Sequence, residues 1–273
     1  AAAGARAEAM LRHIAASAEP DAARARFCRH AAELEAARAA GLTGVLSAVE
    51  NGYAIGEDLS RLALWRRLGA IYLTLTHNGH NLLADSAIPR PALHDGPALH
   101  GGLSRLGREA IAEMNRVGLL VDVSHASRDA MLQAADASRT PVVATHTCCR
   151  ALRDHPRNLD DAQLDALREV GGLAQITAVA AFLRAPPPGQ PARATVEDYA
   201  DHVDHAVRRI GVEHVGLSSD FDGGGGFAGW HDAAETGAVT AALHRRGYGA
   251  REIGLLWSGN FLRLMRRAVE VAR

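Results

Sequence analysis

This sequence predicts an α/β fold on a parallel sheet, closing as a (β/α)8 TIM-type barrel. Three observations predict it. Short apolar, β-branched runs alternate with amphipathic stretches through short connections, the pattern of parallel strands joined by right-handed helical crossovers. Five of those runs lead into a residue able to bind a metal or move a proton: VLSAVE at Glu50, YLTLTH at His77, LLVDVSH at His125, PVVATH at His146 and HVGLSSD at Asp220. In a β/α barrel the chemistry sits at the carboxyl ends of the strands. The third observation is size: 273 residues, 48% hydrophobic, suit one such domain.

The elements follow in order. Residues 5–40 are rich in Ala, Arg and Glu at helical spacing, with a break at Glu19-Pro20. A strand is expected over 43–50, a helix over 59–68 and a strand over 70–77. A loop rich in Pro, Gly and His runs from Ala87 to Gly102. LSRLGREAIAEMNRVG then places Leu106, Ala110 and Met114 on one helix face, and Gly118 stops it. The alternation continues through the strands ending at His125 and His146 to another over 171–179. Thr195 and Asp198 resemble a capping box opening VEDYADHVDHAVRRIG. The strand into Asp220, the GGGG loop and closing helices complete the chain. It reads as one domain over 1–273: a helical lead-in (1–42), barrel strands and helices (43–222), and an active-site loop with closing helices (223–273). Six strands are counted where a closed barrel needs eight, so the first two are expected to lie outside this sequence. The alternative is an open doubly wound sheet.

Composition excludes several chemistries. All 30 basic residues are Arg. With no Lys, there is no Schiff-base lysine, P-loop lysine or carboxylated lysine bridging two metals. Charge is nearly balanced at -1, with neither a basic stripe for nucleic acid nor a polybasic membrane patch. No apolar run reaches the roughly 20 residues that span a bilayer. Cys28, Cys148 and Cys149 make no disulfide framework. The vicinal pair follows His146 and is expected in a turn rather than on a metal.

Taken singly, Glu50 reads as a salt-bridged strand-end residue, and His125 or His146 as a satisfied core histidine. Together at strand ends they read as a hydrolytic metal site, since zinc takes His nitrogen and carboxylate oxygen. Asp220 sits where a general acid/base would act, whereas Asp222 before Gly reads as a turn residue. Arg157, in HPRN, is either a surface ion pair or a two-pronged clamp for a substrate carboxylate. His202 and His205, on a helix outside the barrel, are expected to be surface or packing residues, His94 and His100 to be solvated, and His80 to be a weaker candidate than His77.

The stretches VENGYAIGEDL, YLTLTHNGHNLLADSA, GLSRLGREAIAEMNRVGLLVDVSHAS, PVVATHTCCRALRDHPRNLDD, DHVDH, HVGLSSDFDGGGG and RRGYGAREIGLLWSGNFLRLM resemble the membrane (renal) dipeptidase family of zinc peptidases, in its bacterial branch. The resemblance implies a dinuclear zinc centre that cleaves dipeptides, tolerating a C-terminal D-residue, by attack of a metal-bridging hydroxide. On the matching positions Glu50 would bridge the metals and His125 and His146 would complete one site. His77 would contact substrate and the oxyanion, Arg157 would hold the substrate, and Asp220 would carry the proton. The family's first-strand His-x-Asp pair has no match: His13 and His30 lie in Ala-rich helical sequence without the Asp. Ligands for one zinc are therefore expected to be missing from this sequence. The rivals are a non-catalytic barrel that binds its ligand without cleaving it and a metal-dependent barrel hydrolase for cyclic amides or lactones. A homodimer is left open.

Overall fold

The structure is a computed structural model that describes residues 2–18 and 24–272; the break expected at Glu19-Pro20 lies outside the described residues. The chain divides into two compact units, Ala1–Val142 with Leu262–Arg273, and Val143–Phe261.

The first unit runs α1 (Ala2–Ser17), β1 (Ala25–Phe27), α2 (Ala31–Ala39), β2 (Thr43–Val45), β3 (Ser47–Val49), α3 (Ser60–Leu68), β4 (Ala70–Thr74), α4 (Arg105–Val117), β5 (Leu120–Asp122) and α5 (Arg128–Ala137). The second runs β6 (Val143–Thr147), α6 (Asp161–Glu169), β7 (Leu173–Ile176), α7 (Ala180–Leu183), α8 (Val196–Ile210), β8 (Val215–Leu217), α9 (Thr236–Arg245) and α10 (Ala250–Gly254). The last helix, α11 (Asn260–Val271), returns the chain to the first unit. In the first unit β3, β4 and β5 pair in sequence order, and β1 pairs with β2 separately; in the second, β6, β7 and β8 pair in sequence order. The pairs β3–β4, β4–β5, β6–β7 and β7–β8 are all parallel.

Parallel strands buried on both faces need apolar side chains throughout. Leu73, Leu120, Val121, Leu173, Ala174 and Val215 are accordingly fully buried. Each large aliphatic side chain so buried contributes about 1.5–3 kcal/mol. Small residues complete the packing: α4 buries Gly107 and Ala110 beside Ile111 and Met114.

Three expectations are corrected. The segment read as helical over 5–40 contains β1, which lies in register with β2. The strand read over 43–50 is two strands, β2 and β3, belonging to different sheets. The strand read over 70–77 ends at Thr74. There the Leu75 amide still donates to the Asp122 carbonyl (3.0 Å), but the Leu75 carbonyl accepts the Asn81 side-chain amide (2.8 Å). A side chain from the following loop thus replaces the next rung of the ladder.

Helix starts follow the local chemistry. The Ser104 and Ser127 hydroxyls accept the first free amides of α4 and α5. Asp160 with Gln163, and Thr195 with Asp198, form reciprocal capping boxes at α6 and α8. α3 and α4 both end on a left-handed glycine, Gly69 and Gly118. No helix of the described residues is long and apolar enough to cross a membrane.

Candidate metal site

In the first unit two strand ends present ligand-type side chains. Glu50 follows β3 directly, and His125 comes three residues after β5. His125 Nε2 lies 3.2 Å from Glu50 Oε1. The next residue after Glu50, Asn51, and His125 itself adopt positive φ (83° and 64°). Left-handed backbone is costly for residues other than glycine, and is kept where surrounding contacts enforce it. Those contacts are present. Asn51 Oδ1 accepts from the Tyr53 amide and the Asn81 side chain, and the His125 carbonyl accepts from the Ala87 amide (2.8 Å).

The His125 ring is oriented by Asn78, whose Oδ1 lies 3.2 Å from Nδ1. With Nδ1–H donating there, Nε2 faces Glu50. His77 stands with its ring centroid 4.2 Å from that of His125, and its carbonyl accepts from Ser86 Oγ (2.6 Å). The loop carrying these residues is fixed by buried Asp85, which accepts the amides of Leu99, His100 and Gly102. Burial alone would raise its pKa, but those amides and neighbouring His80 outweigh it and hold the carboxyl below the usual range.

In the second unit His146 lies within β6, with Nδ1 2.9 Å from Thr145 Oγ1. Arg157 is 4% exposed; its Nη2 donates to the His146 carbonyl (3.3 Å), and its guanidinium lies over the Phe182 ring at 5.4 Å. It is therefore an inward-held side chain, unlike a surface ion-pairing arginine. Asp220 follows β8 by three residues at φ 57°, half-buried. Its carbonyl accepts the amides of Gly223 and Gly225. A Cβ at Gly225 would meet the Ser219 backbone carbonyl, so this turn requires glycine there, and one at Gly223 would press on the Asp220 carboxylate.

Glu50 and His125 of the first unit and His146 of the second each offer one ligand atom. One carboxylate oxygen and two imidazole nitrogens make a donor set suited to zinc. In each imidazole Nδ1 is engaged by a neighbour, which leaves Nε2 to ligate. His77 and Asp220 are not members of this set.

Residues set aside from the sequence find structural roles. Cys148 and Cys149 follow the end of β6 directly and are fully buried, and their thiols point at the carbonyls of Thr177 and His202. Burial raises both thiols, Cys148 to about 12, far from the thiolate that a metal would need. His202, expected at a surface or in packing, is 1% exposed; Nδ1 accepts the Cys149 amide and Nε2 donates to the Leu183 carbonyl. His100, expected to be solvated, donates to the Asn81 carbonyl (2.8 Å). His80 accepts the Ser86 amide and donates to Gly96. His30 caps α2 beside Arg66. Sequence reasoning passed over Asn78, Thr145 and Phe182. Asn78 and Thr145 each adjoin a candidate histidine, but Asn78 engages one 47 residues away, which no local pattern reveals.

A parallel α/β fold that carries carboxylate and imidazole side chains at or near the ends of its strands fits the class of metal-dependent barrel hydrolases. The comparisons with known proteins narrow the class. The model of the membrane dipeptidase family, peptidase family M19, matches residues 5–273, and the chain belongs to that family. Dipeptidase tcpJ of Claviceps purpurea is 37% identical over 228 residues, 83% of this chain and 51% of its own length. Dipeptidase verJ of Clonostachys rogersoniana is 41% identical over 207 residues, 76% of this chain and 50% of its own. The chain thus spans about half the length of these curated relatives. Among solved structures, the probable dipeptidase PvdM from Pseudomonas aeruginosa superposes with a TM-score of 0.93 at 29% identity, covering 96% of this chain and 78% of that one. A metallo peptidase from Rhodobacter sphaeroides, liganded with a phosphinate mimic of the dipeptide L-Ala-D-Ala, superposes at 0.81 with 32% identity, covering 90% and 69%. The fold is the TIM-type barrel of this family.

Proposed function

We propose that this chain carries the active site of a zinc dipeptidase that tolerates a D-residue at the C-terminal position. The Glu50 carboxylate, 3.2 Å from His125 Nε2 at the strand ends of the first unit, carries the reading. Family membership supports it, as does the dipeptide mimic held by the Rhodobacter sphaeroides relative. Glu50, His125 and His146 would hold zinc, and the resemblance implies a second ion beside it. When bound, zinc supplies Lewis acidity and makes water a nucleophile near neutral pH.

The remaining steps belong to side chains. Arg157 holds the substrate carboxylate through its two-pronged guanidinium, which fixes the scissile bond in register. His77, beside His125, donates a hydrogen bond to the oxygen that gains charge as the carbonyl becomes tetrahedral. Asp220 takes the proton of the attacking water and passes it to the leaving amine. Its loop is held by backbone bonds to Gly223 and Gly225 rather than by side chains that would crowd the substrate.

The test is zinc content per chain together with hydrolysis of L-Ala-D-Ala. Zinc uptake with turnover, both lost in His125→Ala and His146→Ala, is the expected result. Zinc uptake without turnover would favour a binding protein on the same fold, and turnover undiminished by either substitution would sink the assignment.

A further inference from the structure

Arg157 is surrounded by an arrangement that its assigned role does not by itself require. The Phe182 ring, on α7, lies under the guanidinium at 5.4 Å. On another side the same ring packs against His155, with centroids 4.6 Å apart and planes tilted by 37°. His155 Nδ1 in turn accepts the Arg157 backbone amide (3.2 Å). Asn158, the next residue, closes the arrangement: its side-chain amide donates to the carbonyls of Phe182 (2.8 Å) and Arg153 (2.9 Å). Backbone and side chain of the segment 155–158 are therefore both tied to one short helix.

A guanidinium is a long side chain that loses considerable rotamer freedom when fixed. An aromatic face beneath it offsets that loss through the ring quadrupole, by about 0.5–2 kcal/mol according to desolvation. It also leaves the guanidinium edge, with its paired N–H groups, directed away from the ring. The edge is the part that recognises a carboxylate bidentately.

We infer that Phe182, supported by His155, is a positioning residue that pre-organises Arg157 for the carboxylate of the substrate and so sets the preference for peptides with a free C-terminus. The inference rests on the proposed dipeptidase reading and deepens it. Phe182 and His155 touch neither the reacting bond nor the metal ligands; they act through Arg157. The acid-over-amide preference therefore measures their contribution, while the rate of the bond-breaking step does not.

The experiment uses the whole chain loaded with zinc, with L-Ala-D-Ala and its C-terminal amide as probes. Kinetics give kcat and KM, and calorimetric titration with a phosphinate mimic of L-Ala-D-Ala, which keeps the C-terminal carboxylate but is not cleaved, gives binding constants independent of turnover. Phe182→Leu keeps an apolar side chain of similar reach without the ring face; Phe182→Tyr keeps the face. The expected result for Phe182→Leu is a KM and a dissociation constant for the free acid raised about 2- to 30-fold, the range that the cation–π contribution converts to. Its kcat should stay within about two-fold, its values for the amide should not change, and Phe182→Tyr should behave as wild type. An unchanged KM for the acid, or equal losses for acid and amide, would overturn the inference. Arg157→Ala separates the two levels. If it abolishes the acid preference while Phe182→Leu leaves that preference unchanged, the platform alone is wrong. If it leaves the preference intact, the carboxylate role of Arg157 is wrong and the platform falls with it.

Discussion

At the scale of single residues, the candidate ligands were legible and their supports were not. Glu50, His125 and His146 stand out because each interrupts an apolar run where a charge or an imidazole is expensive without a partner. What orients them comes from elsewhere in the chain. Asn78 fixes the His125 ring through Nδ1, so its removal frees the imidazole to rotate away from Glu50. Partners of this kind typically account for 10–100-fold in metal affinity. Asn78→Ala should lower zinc affinity by about that factor, measured by competition with a chromogenic chelator. An unchanged affinity would show that the ring is held by other means. Two of the site candidates, His125 and Asp220, share a left-handed backbone that sequence did not foretell, since it is imposed by bonds from Ala87, Gly223 and Gly225.

At the scale of elements, helices with strong amphipathic spacing read correctly and short strands read poorly. α4 and α8 carry their own start and stop chemistry, and their positions agree with the spacing. β1 and β2 hold three residues each, too few for a period-2 pattern to show above an Ala-rich background. The end of β4 was overestimated because LTH looks like strand until Asn81 captures the Leu75 carbonyl. The junction between α4 and the loop before it also gives a direct test. Ser104 donates to the Leu82 and Leu83 carbonyls, and a Cβ on Gly107 would collide with the Leu83 carbonyl oxygen. Alanine normally favours a helix over glycine by up to about 1 kcal/mol. Here Gly107→Ala should instead destabilise the protein by about 1–3 kcal/mol, the usual cost of overpacking, as read from urea denaturation. A stabilised variant would mean that α4 can shift without loss.

At the scale of the whole molecule, the acid side of the stability profile is set in part by His202. Burial is the largest influence and lowers its pKa from 6.5, aided by His205; the Leu183 carbonyl, Asp201 and Asp198 oppose it. Its neutral ring accepts one amide and donates to one carbonyl, an arrangement a protonated ring cannot keep. A depressed histidine pKa means that the unfolded chain takes up the proton first. Stability from this group is therefore full above pH 6.5 and is lost as pH falls from there through the lower folded value. Each such proton steepens the loss by up to about 1.4 kcal/mol per pH unit. Chemical denaturation of wild type and His202→Gln between pH 7.5 and 5 should show a shallower acid slope in the variant, whatever its absolute stability; equal slopes would remove His202 from the account.

As the second unit buries Cys148 and Cys149, the first buries Cys28, whose thiol is raised as well. With no lysine in the sequence and every sulfhydryl enclosed, the folded surface offers almost nothing to maleimides or succinimidyl esters. A single cysteine placed at Val269, which is 44% exposed, would thus be the sole reactive thiol on the folded chain. Fluorophores, spin labels or surface tethers could be attached there at defined stoichiometry, without first stripping the native cysteines from the protein.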